Sequence, residues 1–490
     1  MTEMIHNLDH SHDAQHHHHT HAAGSVHEHG HHLVQLDDVT LRITRPVYEK
    51  RKLFPSIKTT TVLKDLSISL HAKEILFIVG ETGAGKSMLA NLLVGKTPKG
   101  SNVEGTFWFD GNIADKAKLE KIARENISFI PQPLTSLNPL NKFSYQEKSL
   151  YPHEMSGGMQ RSALIHDALK PNTQIIIADE PTEGLDAKKA RAVMSELVSL
   201  RDDGVSLIVV THDIDLALNF ADRIAIFKDG NIVEETSSAS FYDKSKLRSD
   251  FAQNVYDCLN EKQFEAQKNQ GRACELEISN LSVSYDRKNV ISGLSTTISS
   301  NDVTCIFGDT GCGKSTLCKA IAGFLKPNGG QITCTEQGGD EALGGVTKTC
   351  DAAANEDLKT SPFVANQVTL IPQNPFMSFD PKMTINESLR EVNAENSHLI
   401  DKFELKPELI KRFPSELSGG ELQRFAIVRA LEQKPAFLIM DEATSMLDIV
   451  TQSKVFKVVC KNCADEGIGV VFVTHDKRLR DTYSTRVINL

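Results

Sequence analysis

One ordered set of nucleotide-handling motifs occurs twice in this chain, and no other feature constrains its fold as tightly. Gly80-Glu81-Thr82-Gly83-Ala84-Gly85-Lys86-Ser87 recurs as Gly308-Asp309-Thr310-Gly311-Cys312-Gly313-Lys314-Ser315. Each copy is followed by an Ile-Pro-Gln turn, a Ser-Gly-Gly segment, an apolar run ending Asp-Glu, and a Thr-His-Asp. Ser156 lies 23 residues before Asp179 and Ser418 lies 23 before Asp441, while Asp179 to His212 is 33 residues and Asp441 to His475 is 34. Matched order and spacing predict an internal duplication. The expected fold class is α/β, with two tandem P-loop NTPase domains, each a mixed-sheet core with a helical subdomain, built to close on each other.

The length of 490 residues and the 40% apolar content suit two globular domains with tails. The expected divisions are a histidine-rich tail over 1–32, a first domain over 33–238, a polar linker over 239–272 and a second domain over 273–490. Residues 335–361, rich in Gly, Ala, Asp and Thr, read as a mobile surface insertion. No stretch approaches the ~18 consecutive apolar residues of a membrane-spanning helix. The acidic, histidine-laden start lacks the features of a secretory signal, so a cytosolic chain is expected. All nine cysteines fall at or after Cys258, an odd number that disfavours a disulfide framework, and Cys460 and Cys463 read as ordinary helical cysteines. The net charge of −10 without a long basic run gives no reason to expect nucleic acid as the main ligand.

Each motif has a chemical reading. Closely spaced glycines let successive backbone N–H groups turn inward around phosphate oxygens. Gly80, Gly83 and Gly85, with Gly308, Gly311 and Gly313, are the candidates. Lys86 and Lys314 would reach the β/γ phosphates. Ser87 and Ser315 would ligate Mg²⁺, with Thr316 following in the second copy, and the helix after each loop adds the positive end of its dipole. Ile75-Leu76-Phe77-Ile78-Val79 reads as a buried parallel strand feeding the first loop. Asp179 and Asp441 would hold Mg²⁺, while Glu180 and Glu442 would orient and help deprotonate the attacking water. Alternation along a strand would point each adjacent pair of carboxylates apart and so separate their roles. His212 and His475 would contact the γ-phosphate, and Gln132 and Gln373 would sense Mg²⁺.

As a set these residues resemble the nucleotide-binding subunits of ABC transporters, from residue 33 to the end. Ser156-Gly157-Gly158 and Ser418-Gly419-Gly420 match that family's signature. The resemblance implies an ATPase whose two sites are shared. One would pair Lys86, Ser87, Gln132, Asp179, Glu180 and His212 with Ser418 and Gly420. The other would pair Lys314, Ser315, Gln373, Asp441, Glu442 and His475 with Ser156 and Gly158. Asp186 and Asp448 match acids that link the sites, and Tyr285 matches the aromatic that stacks on adenine. Ile43 stands at the comparable place in the first domain, where Tyr48 or Phe54 would substitute.

Pro133-Leu134-Thr135-Ser136-Leu137-Asn138-Pro139, Tyr151-Pro152-His153-Glu154 and Met377-Ser378-Phe379-Asp380-Pro381 are similar to segments of the oligopeptide, dipeptide and nickel importers, here with both ATPases in one chain. That group implies two transmembrane permease subunits, an extracytoplasmic solute-binding protein and a position at the cytoplasmic face of the membrane. Twelve of the eighteen histidines lie between His6 and His32, including His16, His17, His18, His19, His27, His29, His31 and His32. Clustered imidazoles bind Ni²⁺, Co²⁺ or Zn²⁺, so a transition metal such as nickel or cobalt is the expected cargo, with peptides as the alternative. A different class, a soluble twin-ATPase acting on ribosomes or DNA, would be expected to carry a charged helical arm or zinc-binding insertions.

Two departures stand out. Gln132 to Ser156 is 24 residues against 45 from Gln373 to Ser418, which predicts a shortened first helical subdomain. After Ser156 the Gln-Arg pair sits one position earlier than after Ser418, so unequal sites are expected, with the one using Ser156 the slower.

Overall fold

The computed structural model describes residues 32–47, 56–145, 148–264, 273–285, 288–337, 348–351 and 367–490. In the first half a six-stranded sheet runs in the order Asn231–Thr236, Arg223–Lys228, Ile75–Gly80, Ser206–Thr211, Ile175–Asp179, Ile127–Ile130. All neighbours are parallel except the outer pair Arg223–Lys228 and Asn231–Thr236. Ile75–Gly80, Ser206–Thr211 and Ile175–Asp179 are buried along their whole length, as expected for strands covered on both faces. The second half repeats this with five parallel strands in the order Val368–Ile371, Phe437–Asp441, Gly469–Thr474, Val303–Phe307, Arg486–Asn489.

A four-stranded antiparallel sheet flanks each core. The first joins Ser56–His71, His32–Val47, Ser101–Phe109 and Asn112–Ile113, and the second joins Lys288–Ser299, Ala273–Tyr285, Gly329–Gln337 and Lys348–Asp351. Its inward side chains, such as Leu36, Leu41, Leu63 and Leu66, form with the phosphate-loop helix a core layer distinct from the one on the other face of the parallel sheet. His32, placed in the tail by the sequence reading, opens a strand, and its ring lies 4.7 Å from that of His71. Of the expected mobile insertion, residues 335–337 end the strand Gly329–Gln337 and Lys348–Asp351 form a strand paired with it.

The helical subdomains differ as the spacing predicts. Between Gln132 and Ser156 the first half has short 3₁₀ turns and a hairpin, Phe143–Tyr145 against Lys148–Leu150. The corresponding stretch of the second half holds the α-helices Ile385–Arg390 and Leu399–Lys402. Within the stretch read as a linker, the helix Asp250–Leu259 sinks Phe251, Ala252 and Val255 into the first half's core. Immediately beyond it Glu261 reaches the second half, accepting from Ser453 Oγ at 2.8 Å and Tyr483 OH at 3.0 Å and pairing with Lys457 Nζ at 2.7 Å. Among the described residues no helix is long and apolar enough to cross a membrane.

Gly80 ends its strand so close to the neighbouring one that a Cβ there would lie 1.8 Å from the Phe227 carbonyl oxygen, whereas nothing stands within 4 Å of a Cβ built on Gly83. Backbone on a central strand cannot yield as a side chain can. Gly80→Ala should therefore destabilise the first half by roughly 3 kcal/mol or more. Gly83→Ala, opposed only by its φ of +82°, should cost about 1 kcal/mol. Denaturant unfolding of the two variants checks the order.

Candidate functional site

Both glycine loops leave the C-terminal end of a central parallel strand and enter a helix, Lys86–Leu93 in one half and Lys314–Ile321 in the other. Gly83 and Gly85 have φ of 82° and 108°, and Gly311 and Gly313 have 89° and 107°, the left-handed conformation that winds the loop around an anion. Lys86 folds back over its own loop, Nζ donating to the carbonyls of Gly80 at 2.8 Å and Glu81 at 2.9 Å. Lys314 does the same to Gly308 and Asp309, both at 2.9 Å. Burial lowers the Lys86 ammonium below its ordinary range, against the pull of Glu180, Asp448 and Asp179. Ser87 Oγ donates to Asp179 Oδ1 and Ser315 Oγ to Asp441 Oδ1, each at 3.0 Å. Hard oxygens are thus paired at the mouth of each loop, a donor set suited to Mg²⁺. Burial raises both aspartates, Asp179 to about 6.

The acids that follow are separated by a turn rather than by strand alternation. Each strand ends at its aspartate, and Glu180 and Glu442 sit beyond it with φ of 49° and 48°. Glu180 accepts from Thr211 Oγ1 at 3.0 Å and lies 2.9 Å from His212 Nδ1. Burial pushes the Glu180 carboxyl up, but His212, with Lys86 and the Thr211 hydroxyl, more than reverses this and holds it below its usual range. In the second half His475 Nδ1 is 3.5 Å from Glu442 Oε1, and Gln373 Nε2 donates to Glu442 Oε2 at 3.0 Å. Gln132 behaves differently: its Nε2 donates to Glu183 Oε2 at 3.1 Å.

The Ser-Gly-Gly segments open helices Gly157–Ala168 and Gly419–Glu432, whose N-caps are Ser156 and Ser418. Ser418 forms a full capping box with Glu421, whereas Met159 replaces that glutamate after Ser156 and leaves a single 3.4 Å cap bond. The halves meet here. The Thr82 N–H donates to Asp448 Oδ2 at 3.3 Å, and Thr82 Oγ1 donates to the Met446 carbonyl at 3.1 Å. A Cβ on Gly420 would lie 3.8 Å from Thr82 Cγ2, so the second half's Ser-Gly-Gly helix faces the first half's loop. Asp186, the counterpart of Asp448, instead has its second oxygen taken by Lys189 Nζ at 2.6 Å. Among the described residues no equivalent hydrogen bond leaves Thr310.

The structure therefore brings Lys86, Ser87, Asp179, Glu180 and His212 together, with Gly420 of the other half facing the loop at Thr82, and groups Lys314, Ser315, Gln373, Asp441, Glu442 and His475. It separates Gln132 from Glu180. Sequence reading passed over Thr82 and Glu183; the mismatch of Glu183 with Ser445, four residues after each aspartate, was the available signal for the latter. The Tyr285 side chain, Tyr48, Phe54 and the tail histidines before His32 lie outside what the structure describes. Among the described residues no cluster of three or more His, Cys, Asp or Glu could hold a transition metal, and Cys460 and Cys463 are buried in one helix.

A family model described as "ABC transporter" matches residues 63–144 and 291–445. The chain is 26% identical to the peptidoglycan transport ATP-binding protein YejF of Agrobacterium fabrum, covering 86% of each protein. It is 24% identical to the glutathione import ATP-binding protein GsiA of Pectobacterium atrosepticum, covering 87% of this chain and 81% of that one. Among solved structures, the archaeal ribosome recycling factor aABCE1, in complex with the ribosomal stalk protein aP1, aligns over 87% of this chain and 84% of its own with a TM-score of 0.58 and 19% identity. That likeness speaks to fold.

Burial pulls the His212 imidazole down, and Glu180 more than reverses it, so the ring titrates above its ordinary 6.5. A group raised on folding stabilises fully below its unfolded value and loses that contribution as pH rises through the folded value. In nucleotide-free protein, His212→Gln should lower the melting temperature of the first half more at pH ~6 than at pH ~9. Equal losses at both would contradict a charged pair.

Proposed function

The chain belongs to the ABC transporter ATP-binding proteins and is an ATPase that uses ATP with Mg²⁺, and from that premise we propose that it energises import of peptide-class compounds. It works at the cytoplasmic face of the membrane with two transmembrane permease subunits and, through them, an extracytoplasmic solute-binding protein. The observation that carries this reading is the seam, where one half's phosphate loop faces the other half's Ser-Gly-Gly helix. A triphosphate held there would be gripped from both sides, so binding and hydrolysis become closure and opening of the halves. The relatives that span both halves are named for peptidoglycan transport and glutathione import, which supports a peptide-class cargo. Nickel or cobalt, expected from the histidine-rich tail, has no counterpart in those names.

Ser87 with Asp179, and Ser315 with Asp441, would hold Mg²⁺, which when bound neutralises charge on the β- and γ-phosphates. Lys86 and Lys314 would exchange their loop carbonyls for phosphate oxygens. Glu180, fixed by Thr211 and His212, would orient the attacking water and accept its proton, and Glu442 would do so at the second site, with His475 beside it. His212 and His475 would donate to the γ-phosphate. The N-terminal histidines would bind Ni²⁺, Co²⁺ or Zn²⁺ as a side function.

In the assembled transporter, Glu180→Gln combined with Glu442→Gln should reduce ATP turnover by roughly 100-fold or more and abolish uptake of labelled small peptides. Uptake of Ni²⁺ instead of peptides would reverse the cargo assignment, and co-purification with ribosomes instead of permeases would reject the transport role. Removing residues 1–31, which leaves the strand that His32 opens, should abolish Ni²⁺ binding above pH 7 while leaving peptide uptake intact. Calorimetric titration and an uptake assay check the two parts.

A further inference from the structure

The two glutamine turns are held by different partners, and the difference traces to two residues. The fifth residue after Ser156 is Arg161, whereas the fifth after Ser418 is Gln423 and the arginine, Arg424, is sixth. A shift of one position turns a side chain by about 100° around a helix. It moves the arginine from the flank of the helix to its buried face. Arg424 donates to the carbonyls of Gly420 at 3.2 Å and Phe403 at 3.0 Å, within its own subdomain. Arg161 is only 3% exposed and donates through Nη1 to the Gln132 carbonyl at 2.7 Å and more weakly to that of Pro131 at 3.5 Å.

A buried guanidinium requires a countercharge. Glu183 Oε2 lies 4.0 Å from Arg161 Nη2 and accepts from Gln132 Nε2 at 3.1 Å. The carbonyl and the side-chain amide of Gln132 are therefore both held by one arginine–glutamate pair. In the second half Ser445 occupies the Glu183 position, too short and uncharged to do this, and the Gln373 amide donates to Glu442. The two substitutions compensate each other: Glu183 adds its charge to the weaker fields of Glu180 and Asp179 in balancing Arg161, and Arg161 fixes the turn that presents Gln132 to Glu183.

We infer that Arg161 and Glu183 are positioning residues that restrain Gln132 away from Glu180 and make the site containing Lys86 the slower of the two. This rests on the proposed roles of Gln132, Glu180 and Glu442. The brake thus acts on the site of the half that carries the displaced arginine, not on the site completed by Ser156. Releasing Gln132 means breaking its bond to a carboxylate, and a hydrogen bond to a charged group is strong enough to alter a rate severalfold.

The test uses the full chain assembled with its permease, with one site disabled at a time. In a Glu442→Gln background, Glu183→Ser should raise turnover at the Lys86 site roughly three- to tenfold, with the KM for ATP changed by less than about twofold. Glu183→Gln, which keeps an acceptor but removes the charge, should give a smaller rise. In a Glu180→Gln background Glu183→Ser should change nothing. Glu183 is partly exposed, so these variants should fold, and Arg161→Gln added to Glu183→Ser should keep the increase by restoring the second half's pair of residue types. Unchanged or reduced turnover in the Glu442→Gln background overturns the inference, as does an equal rise in both backgrounds, which would indicate general loosening. If Glu180→Gln and Glu442→Gln each leave turnover whole, the underlying site assignment fails instead.

Discussion

Contact between the Thr82 segment of one phosphate loop and the Asp448 segment of the other half sets that loop against the partner half's Ser-Gly-Gly helix. Asp448 is the N-cap of the helix Ile449–Glu466: its Oδ1 accepts from the Thr451 N–H at 3.0 Å, while Oδ2 accepts from Thr451 Oγ1 at 2.9 Å and from the Thr82 N–H at 3.3 Å. The same capping role that starts a helix also crosses the seam. Ile449 and Val450, the next two residues, join the first half's buried cluster, so apolar burial reinforces a polar contact too weak to hold two domains alone.

From this seam the asymmetry of the molecule follows. Asp186 caps the opposite helix in the same way, but Lys189 stands where the second half has Thr451, and its ammonium captures the oxygen that Asp448 offers across the interface. On one side the linking acid shares its second oxygen between Thr451 Oγ1 and the Thr82 N–H of the other half; on the other side that oxygen is taken by the Lys189 ammonium of its own helix. The Glu261 anchor, which ties the end of the first half to Ser453 and Tyr483, keeps both halves on one tether and raises their effective concentration without nucleotide.

Much of the site could be read in the sequence because its chemistry is local. Lys86, Ser87, Asp179, Glu180 and His212 sit where strand, loop and helix boundaries are marked by glycines and apolar runs, and the duplicate confirmed each spacing. The shortened helical subdomain was visible as a count of residues. What composition and periodicity could not reveal depends on where side chains turn in three dimensions. The left-handed backbone of Glu180 and Glu442, not strand alternation, separates neighbouring carboxylates. The pairing of Gln132 with Glu183 needs the rotation of Arg161 about its helix and the approach of two loops 51 residues apart. His32 illustrates the reverse error, since a run of histidines concealed the first residue of a strand.

If each triphosphate is shared between halves, as proposed, one substitution on the opposite half should stop turnover. With the proposed second catalytic acid removed by Glu442→Gln, the remaining turnover should belong to the site whose lysine, serine, acids and histidine all lie in the first half. Placing a bulky side chain on the opposite half, Ser418→Arg, should then abolish that remaining turnover while leaving both halves folded. Turnover that persists in the double variant would mean the first half completes its site alone.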